Sequence, residues 1–331
     1  MEHLLIFGQP QNQLNIKNMK KRKLFNIKIA IPIYNEERNI HNLLQSIKKQ
    51  NNKYYILEKI IVVCDGCTDK SQDIVKKIAK NYPFISCKVY KQRKGKIERL
   101  NYLYKTIKSD LLITFDGDVV LGNRNVIDNM VLNFKDKKIM VVGANCLPIG
   151  NDNLFRKLMF KYEIIWYEVR KNLNGGNNIY NTKGAGVAFR TEFSRKIKLP
   201  KNNISETKYI YLKLKEEGLK YFFSKKAIVY FLPPNNLHDF LLQARRSERE
   251  REKLACIFGD WIYKQYNIPF KYKLRALIKM FVLDPLYTPV VILFIAFANK
   301  FPFREKTYVK IGVWTISKST KIGINNINFD L

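Results

Sequence analysis

Alternation is the feature that most constrains this chain. Short apolar, β-branched runs are followed again and again by stretches with helical spacing, all within the first 120 residues. "IKIAIPI" (Ile27–Ile33) reads as a buried strand that breaks at Pro32 and Asn35. "NIHNLLQSIKKQ" then places Ile40, Leu43, Leu44 and Ile47 on one helical face. "LEKIIVVCDGCTD" and "ISCKVYKQ" read as further strands, with "KSQDIVKKIAKNY" as the helix between them. "KIERLNYLYKTIKS" is a third helix and "DLLITFDGDVV" a fourth strand, read as one element. Strand interiors that are apolar throughout need cover on both faces. The chain is therefore expected to be an α/β protein with a mostly parallel sheet between helices. Ligands of such sheets sit beyond the carboxyl ends of the strands. Three polar clusters fall there: Tyr34-Asn35-Glu36, Asp65 to Asp69, and Asp116 to Asp118.

The last cluster raises a charge problem. Sixty Lys and Arg against 28 Asp and Glu give a formal net charge of +32, yet Asp116 and Asp118 stand one residue apart. Like charges that close disfavour each other unless a cation shares them. Oxygen ligands on a loop after a strand suit Mg²⁺ or Mn²⁺, which binds well alongside substrate phosphates. A solvated polar turn is the bland alternative. The positive excess implies attraction to polyanions, whether nucleic acid, an anionic membrane or phosphorylated ligands. Lysines are spread over nearly every helix and no nucleic-acid recognition motif is present, so a nucleic-acid partner is not expected. Five cysteines, including an isolated Cys64-x-x-Cys67, and three scattered histidines do not make a zinc site.

Further along, "LFRKLMFKYEIIWYEVRK" (Leu154–Lys171) is apolar on more than one side. It reads as a helix packed between the sheet and the C-terminal helices, with an acceptor-lipid wall of Phe160, Trp166 and Tyr167 as the alternative. After Asn235 the chain reads as a densely charged helix. "FVLDPLYTPVVILFIAFA" (Phe281–Ala298) follows, 18 residues interrupted by Asp284, Pro285 and Pro289 and flanked by basic residues. A membrane span, an interfacial or re-entrant helix and a core helix all remain open for it. The expected organisation is an N-terminal tail over 1–24, which has the look of neither a signal peptide nor a folded element, a catalytic domain over 25–235, and a helical, membrane-associated region over 236–331.

Several segments in order resemble the family 2 glycosyltransferases, inverting enzymes of GT-A fold. "IPIYNEERNI" resembles that family's opening P-x-Y-N-E, and "VVCDGCTDKS" its D-G-S-T-D. "KGKIERLNYLYKTIKSDLLITFDGDVV" resembles its G-K-x-x-x-L-N run leading to D-x-D. "TKGAGVAFR", "ISETKYIYLKLKEEGLKYFF" and "LLQARRS" resemble its Gly-rich acceptor segment, its E-D-x-x-L helix and its Q-x-x-R-W. The resemblance covers about Lys28 to Arg246. It implies that Pro32, Tyr34, Glu36, Asp65 and Lys96 contact a nucleotide-diphosphate sugar donor, Asp65 at the base, while Asp116 meets the ribose or diphosphate and Asp116 and Asp118 hold Mg²⁺ or Mn²⁺. Gly184, Gln243 and Arg246 would lie toward the acceptor and diphosphate. Asp69 is expected to cap the following helix. The reaction implied is displacement at the anomeric carbon, with a carboxylate deprotonating the acceptor hydroxyl. Two positions depart from the family. Thr207 stands where the basic Asp is expected, which leaves Glu206 as the only carboxylate of that motif. Ser247 stands where processive members carry Trp, which favours transfer of a single sugar. The acceptor is expected to be a lipid-linked sugar, glycolipid or surface glycan at the cytoplasmic face of an anionic membrane. A catalytically impaired scaffold is the competing reading, and a nucleic-acid-binding protein or a nucleotidyltransferase lies further off.

Overall fold

A computed structural model describes residues 24–150, 152–201, 204–300, 318–321 and 323–324, without the side chains of 245–249 and 298–300. The expected tail lies outside the described residues except for Leu24. β1 (Phe25–Ile33), β2 (Tyr55–Asp65), β3 (Ile85–Tyr90) and β4 (Leu111–Phe115) alternate with α1 (Ile40–Lys48), α2 (Ser71–Asn81) and α3 (Lys96–Thr106). Period-2 placement is explicit in the strands. Ile27, Ile29, Ile31 and Ile33 of β1 enter one core cluster with α1 and α2, whereas Ala30 enters the other with α3.

The chain continues through β5 (Val119–Leu121), α4 (Val126–Val131), β6 (Ile139–Pro148), α5 (Leu154–Asn172), β7 (Gly186–Arg190), α6 (Thr191–Ser194), α7 (Glu206–Glu216) and β8 (Lys220–Phe231). One sheet has the order β3-β2-β1-β4-β7-β6-β8-β5. The β3-β2-β1-β4 half is parallel. β7 runs antiparallel to both β4 and β6, so the sheet is more mixed than the strand–helix rhythm of the first half suggests. The run expected as one fourth strand is two. β4 ends at Phe115, and after the Asp116–Asp118 turn β5 leaves for the far edge and pairs with β8. Asn39, fully buried, donates to the carbonyls of Gly117 and Val119, both at 2.9 Å, and so pins that turn.

β1 is flanked by β2 and β4, and the connections after it diverge. Crevices form at such a switch point, beyond the strand ends. α8 (Leu237–Phe258) follows β8, and its Leu254 joins the α3-side core. α9 (Phe270–Leu283) and α10 (Tyr287–Lys300) form a helical hairpin packed on α5. The apolar run of Phe281–Ala298 is therefore broken, as Asp284 and Pro285 foreshadowed. Asp284 ion-pairs with Lys161 of α5 and accepts the Tyr287 amide at 3.2 Å. A 14-residue helix is about 21 Å long, and among the described residues no helix is long and apolar enough to cross a membrane.

Candidate active site

The loops after β1, β2 and β4, the start of α3, the Thr182–Ala185 segment and the start of α7 converge on one cleft of about 570 Å³. Of the residues singled out in the sequence, Pro32, Tyr34, Glu36, Asp65, Lys96, Asp116, Asp118, Gly184, Glu206 and Gln243 all line it. The side chain of Arg246 lies outside the described residues.

The first loop is shaped by Asn35, which sits at φ 53°, a left-handed conformation that asparagine tolerates better than most residues. Its side chain accepts the Thr68 amide at 2.9 Å and so ties the loop after β1 to the loop after β2. Asp69 accepts the Ser71 amide at the start of α2 and the Glu37 amide, both at 3.0 Å, from one residue before the N-cap position, which is Lys70 and carries no side-chain cap. The Tyr34 ring carries the Arg93 guanidinium 3.8 Å from its centroid.

Asp65 is committed more heavily than a simple base-recognition role requires. Its carboxylate accepts Arg99 Nε at 2.6 Å, the Lys94 amide at 3.0 Å and the Gly95 amide at 2.7 Å, and it is also ion-paired with the Arg99 terminal nitrogen at 2.5 Å. Both side chains are about 5% exposed. Three of these contacts fall on Oδ1 and the Gly95 amide on Oδ2, so Asp65 holds the turn into α3 in register as a wall of the cleft.

At the floor, Lys96 reaches Asp116 at 2.6 Å and also ion-pairs with Glu206. Burial works against the ammonium, but Asp116 and Glu206 outweigh it and keep Lys96 charged. Burial first, opposed by Lys96 and helped by Asp118 and Glu206, pushes Asp116 up to about 6. Glu206 is thus in the site, but its carboxylate is held by Lys96 and is not standing free as a base. Thr207, in the position expected for the base, is buried and donates its hydroxyl to the Thr182 carbonyl.

Asp118 makes no hydrogen bond or ion pair among the described residues. Behind it, Glu36 is buried with Oε2 unpartnered. Burial, then the Asp118 charge, pushes Glu36 up to about 8 against the pull of Lys321. Lys321 comes from the chain's far end. It ion-pairs with Glu36 and donates to the Tyr34 carbonyl at 2.7 Å. Its segment is held by Ser319, which donates to Asp239 at 2.9 Å and accepts from Arg156 at 2.6 Å.

Among the described residues no three His, Cys, Asp or Glu side chains are grouped to hold a metal by themselves. Two neighbouring carboxylates, one of them unpaired, together with an orphaned carboxylate oxygen, nevertheless fit a hard divalent ion that draws its remaining ligands from water and phosphate. Two glycines keep this space open. A Cβ on Gly117 would lie 2.7 Å from the Glu36 side chain, and one on Gly184 would lie 2.7 Å from Glu206 Oε1 and 2.9 Å from Lys96 Nζ.

The model of glycosyl transferase family 2 matches residues 28–198, just over half of the 331 residues. The chain belongs to that family. It is 34% identical over 123 residues to the probable glycosyltransferase YdaM of Bacillus subtilis, a match covering 35% of this chain and 27% of that protein. It is 25% identical over 183 residues to the dolichyl-phosphate beta-glucosyltransferase ALG5A of Trichomonas vaginalis, covering 52% of this chain and 55% of that protein. The chain thus spans between about a quarter and just over half the length of these relatives. Among solved structures, the mannosyltransferase PcManGT of Pyrobaculum calidifontis, in complex with GDP-Man and Mn²⁺, superposes with a TM-score of 0.54 at 17% identity. That match covers 85% of this chain and 77% of that one, and it supports a GT-A-like fold.

Against this geometry, sequence reasoning missed Arg93, Arg99, Lys183 and Lys321. Arg99 carried a weak signal, since it falls one helical turn past Gly95, whose amide Asp65 also accepts. Lys321 carried none, because its partner Glu36 is 285 positions away.

Proposed function

We propose that this protein is a metal-dependent, inverting glycosyltransferase that moves one sugar from a nucleoside-diphosphate donor to an acceptor at the cytoplasmic face of an anionic membrane. The observation that carries the reading is the unpaired Asp118 carboxylate beside Asp116, in a cleft lined also by the Tyr34 and Asp65 loops. Tyr34 and Arg93 offer a flat, cationic wall for a nucleobase. Lys96, held between Asp116 and Glu206, fixes the floor beneath the reacting sugar. Glu206 enters as the partner that steadies Lys96. Asp116 and Asp118 would hold Mg²⁺ or Mn²⁺, which when bound neutralises charge on the departing diphosphate. Gly184 leaves room for the sugar, and Gln243 of α8 borders the acceptor side. The donor class draws support from the GDP-Man and Mn²⁺ of the structural neighbour.

The membrane part rests on the α9–α10 hairpin. Phe270, Leu274, Ile278 and Phe281 form an exposed stripe along α9, and Lys271, Arg275 and Lys279 run beside it. Val282, Leu283, Leu286 and Leu293 continue the apolar surface at 67% to 80% exposure. An apolar stripe next to a basic one suits a helix lying in the interface of an anionic leaflet.

The test is incubation of the purified protein with a panel of nucleotide sugars and Mn²⁺, with free nucleotide diphosphate as the readout. One donor should be hydrolysed slowly without acceptor, and Asp118→Ala should abolish that release while the melting temperature stays close to that of the unaltered protein. Metal-independent release, or unchanged release in Asp118→Ala, removes the metal role. No release from any donor favours the scaffold reading, which draws on Thr207.

A further inference from the structure

We infer that Lys321 is a positioning residue for the sugar donor. It brings a distant segment of the chain onto the loop after β1 and holds that loop, with the Asp116–Asp118 turn beside it, in the shape that takes the nucleoside diphosphate. The inference rests on the glycosyl-transfer reading and deepens it.

The family match ends at residue 198, so Lys321 lies well outside it. Its side chain nevertheless lines the cleft and directs its ammonium at three consecutive residues of one loop. It donates to the Tyr34 carbonyl at 2.7 Å and to the Asn35 carbonyl at 3.4 Å, and it ion-pairs with Glu36. An ammonium has three N–H groups, and these partners use all of them. Lys321 therefore acts on the donor through the loop, not as a free phosphate ligand. The loop turns sharply at Asn35, with its left-handed φ of 53°. Tyr34, just before that turn, carries Arg93 and forms the wall proposed for the nucleobase. Holding both carbonyls at the turn keeps that wall in place.

Glu36 passes the restraint on to the metal turn. It is buried, and Lys321 is its only ion-pair partner among the described residues. Its side chain lies against Gly117, where a Cβ would stand 2.7 Å from Glu36 Cγ. Without the ammonium, an uncompensated buried carboxylate would press on the Asp116–Asp118 turn. A second tie runs through Asn39. Its amide nitrogen donates to Gly117 and Val119, and its oxygen accepts the Ile324 amide at 3.1 Å. One buried side chain thus joins the acidic turn to the segment that carries Lys321.

That segment is anchored on both sides of Lys321. After it, Ile324 is buried with Val120 and Leu232, and its carbonyl accepts from Asn42 at 3.0 Å. Before it, the Ser319 amide donates to Asp239 of α8, and the buried Arg156 of α5 donates to the Ser319 carbonyl. The mount is built from α1, α5 and α8 together, so the loop after β1 is fixed from outside the family-matched half. Coupling of this kind is reciprocal. If the docked segment strengthens nucleotide binding, bound nucleotide strengthens docking by the same factor.

The experiment uses the full chain with the donor panel and Mn²⁺, and GDP and UDP as binding probes in calorimetry. Lys321→Met should raise KM for the donor and Kd for the matching nucleoside diphosphate by ~10-fold or more, the scale of one lost charged hydrogen bond. It should leave kcat nearly unchanged, because the loop binds donor before and during the reaction alike. Lys321→Arg should recover most of the loss, which a general weakening of the fold would not produce. In the unaltered protein, the matching nucleotide should slow hydrogen exchange both in the Tyr34 loop and in the peptide over 318–324. An unchanged KM in a folded Lys321→Met, a fall in kcat alone, or a loss that Lys321→Arg does not lessen overturns the inference, while donor release by the unaltered protein still upholds the transferase. Protection of the Tyr34 loop without protection of 318–324 overturns it as well, and decides alone if Lys321→Met does not fold. Absence of both release and nucleotide binding in the unaltered protein overturns the transferase reading together with it.

Discussion

Gly184→Ala isolates the geometry of the cleft floor from the stability of the fold. The backbone at Gly184 is not left-handed, so alanine brings no backbone strain there. Its Cβ would stand 2.7 Å from Glu206 Oε1, 2.9 Å from Lys96 Nζ and 3.5 Å from Asp116 Oδ2, where ordinary contact begins at 3.4 Å. The Glu206 carboxylate must therefore retreat by about 0.7 Å and the Lys96 ammonium by about 0.5 Å. Both are ends of flexible side chains, so the fold can absorb the change at small cost. The bridge that sets Asp116 cannot, because among the described residues Lys96 alone ion-pairs with both Asp116 and Glu206. A misplacement approaching 1 Å near the reacting atoms costs up to about 100-fold. The expectation is a fall of roughly 10- to 100-fold in kcat/KM, or about 1.4–2.7 kcal/mol of transition-state stabilisation. The assay is donor turnover at varied concentration, with thermal melting alongside. A variant with unaltered kcat/KM would refute the view that the Asp116–Lys96–Glu206 bridge positions the chemistry. A variant that melts far lower would show that the floor is part of the folding core.

Two other perturbations separate structural from docking roles. Asp65→Ala strips the buried Arg99 of its counter-charge and two backbone amides of their acceptor. Urea unfolding should show a loss of about 3–5 kcal/mol, as for a broken buried pair; a loss under 1 kcal/mol would return Asp65 to a purely ligand-contacting role. Val282→Ser with Leu286→Ser removes two side chains exposed at 78% and 80%. At about 1.5–3 kcal/mol per apolar side chain brought out of water, flotation with anionic vesicles should weaken by at least about a hundredfold, and undiminished flotation would place the membrane contact elsewhere.

What was legible in the sequence divides along the range of the interactions involved. The first three strands and helices follow from local periodicity, and the structure places them where the pattern does. The break in the last apolar run was legible because Asp284 and Pro285 act within a few residues of themselves. β5 was not. "DLLITFDGDVV" reads as one strand because nothing local says that Val119–Leu121 pairs with β8, more than a hundred positions later. The antiparallel β7 was hidden for the same reason, since a buried strand looks alike in either direction. Lys321 lies at the limit of this series, with its only cue in the folded cleft.

Thr207 shows a different limit. That it departs from the expected carboxylate was plain from the residues alone, but the meaning of the departure was not. Read locally, a missing base suggests impaired chemistry or a neighbouring substitute such as Glu206. In the folded cleft, Lys96 holds Glu206, Lys208 holds Glu250, and Glu163 is divided between Lys183 and Arg170. Those pairings join residues 20 to 110 positions apart, except the short Glu163–Arg170 link. What Thr207 means for the chemistry is thus set by charge pairings that no local pattern in the sequence names.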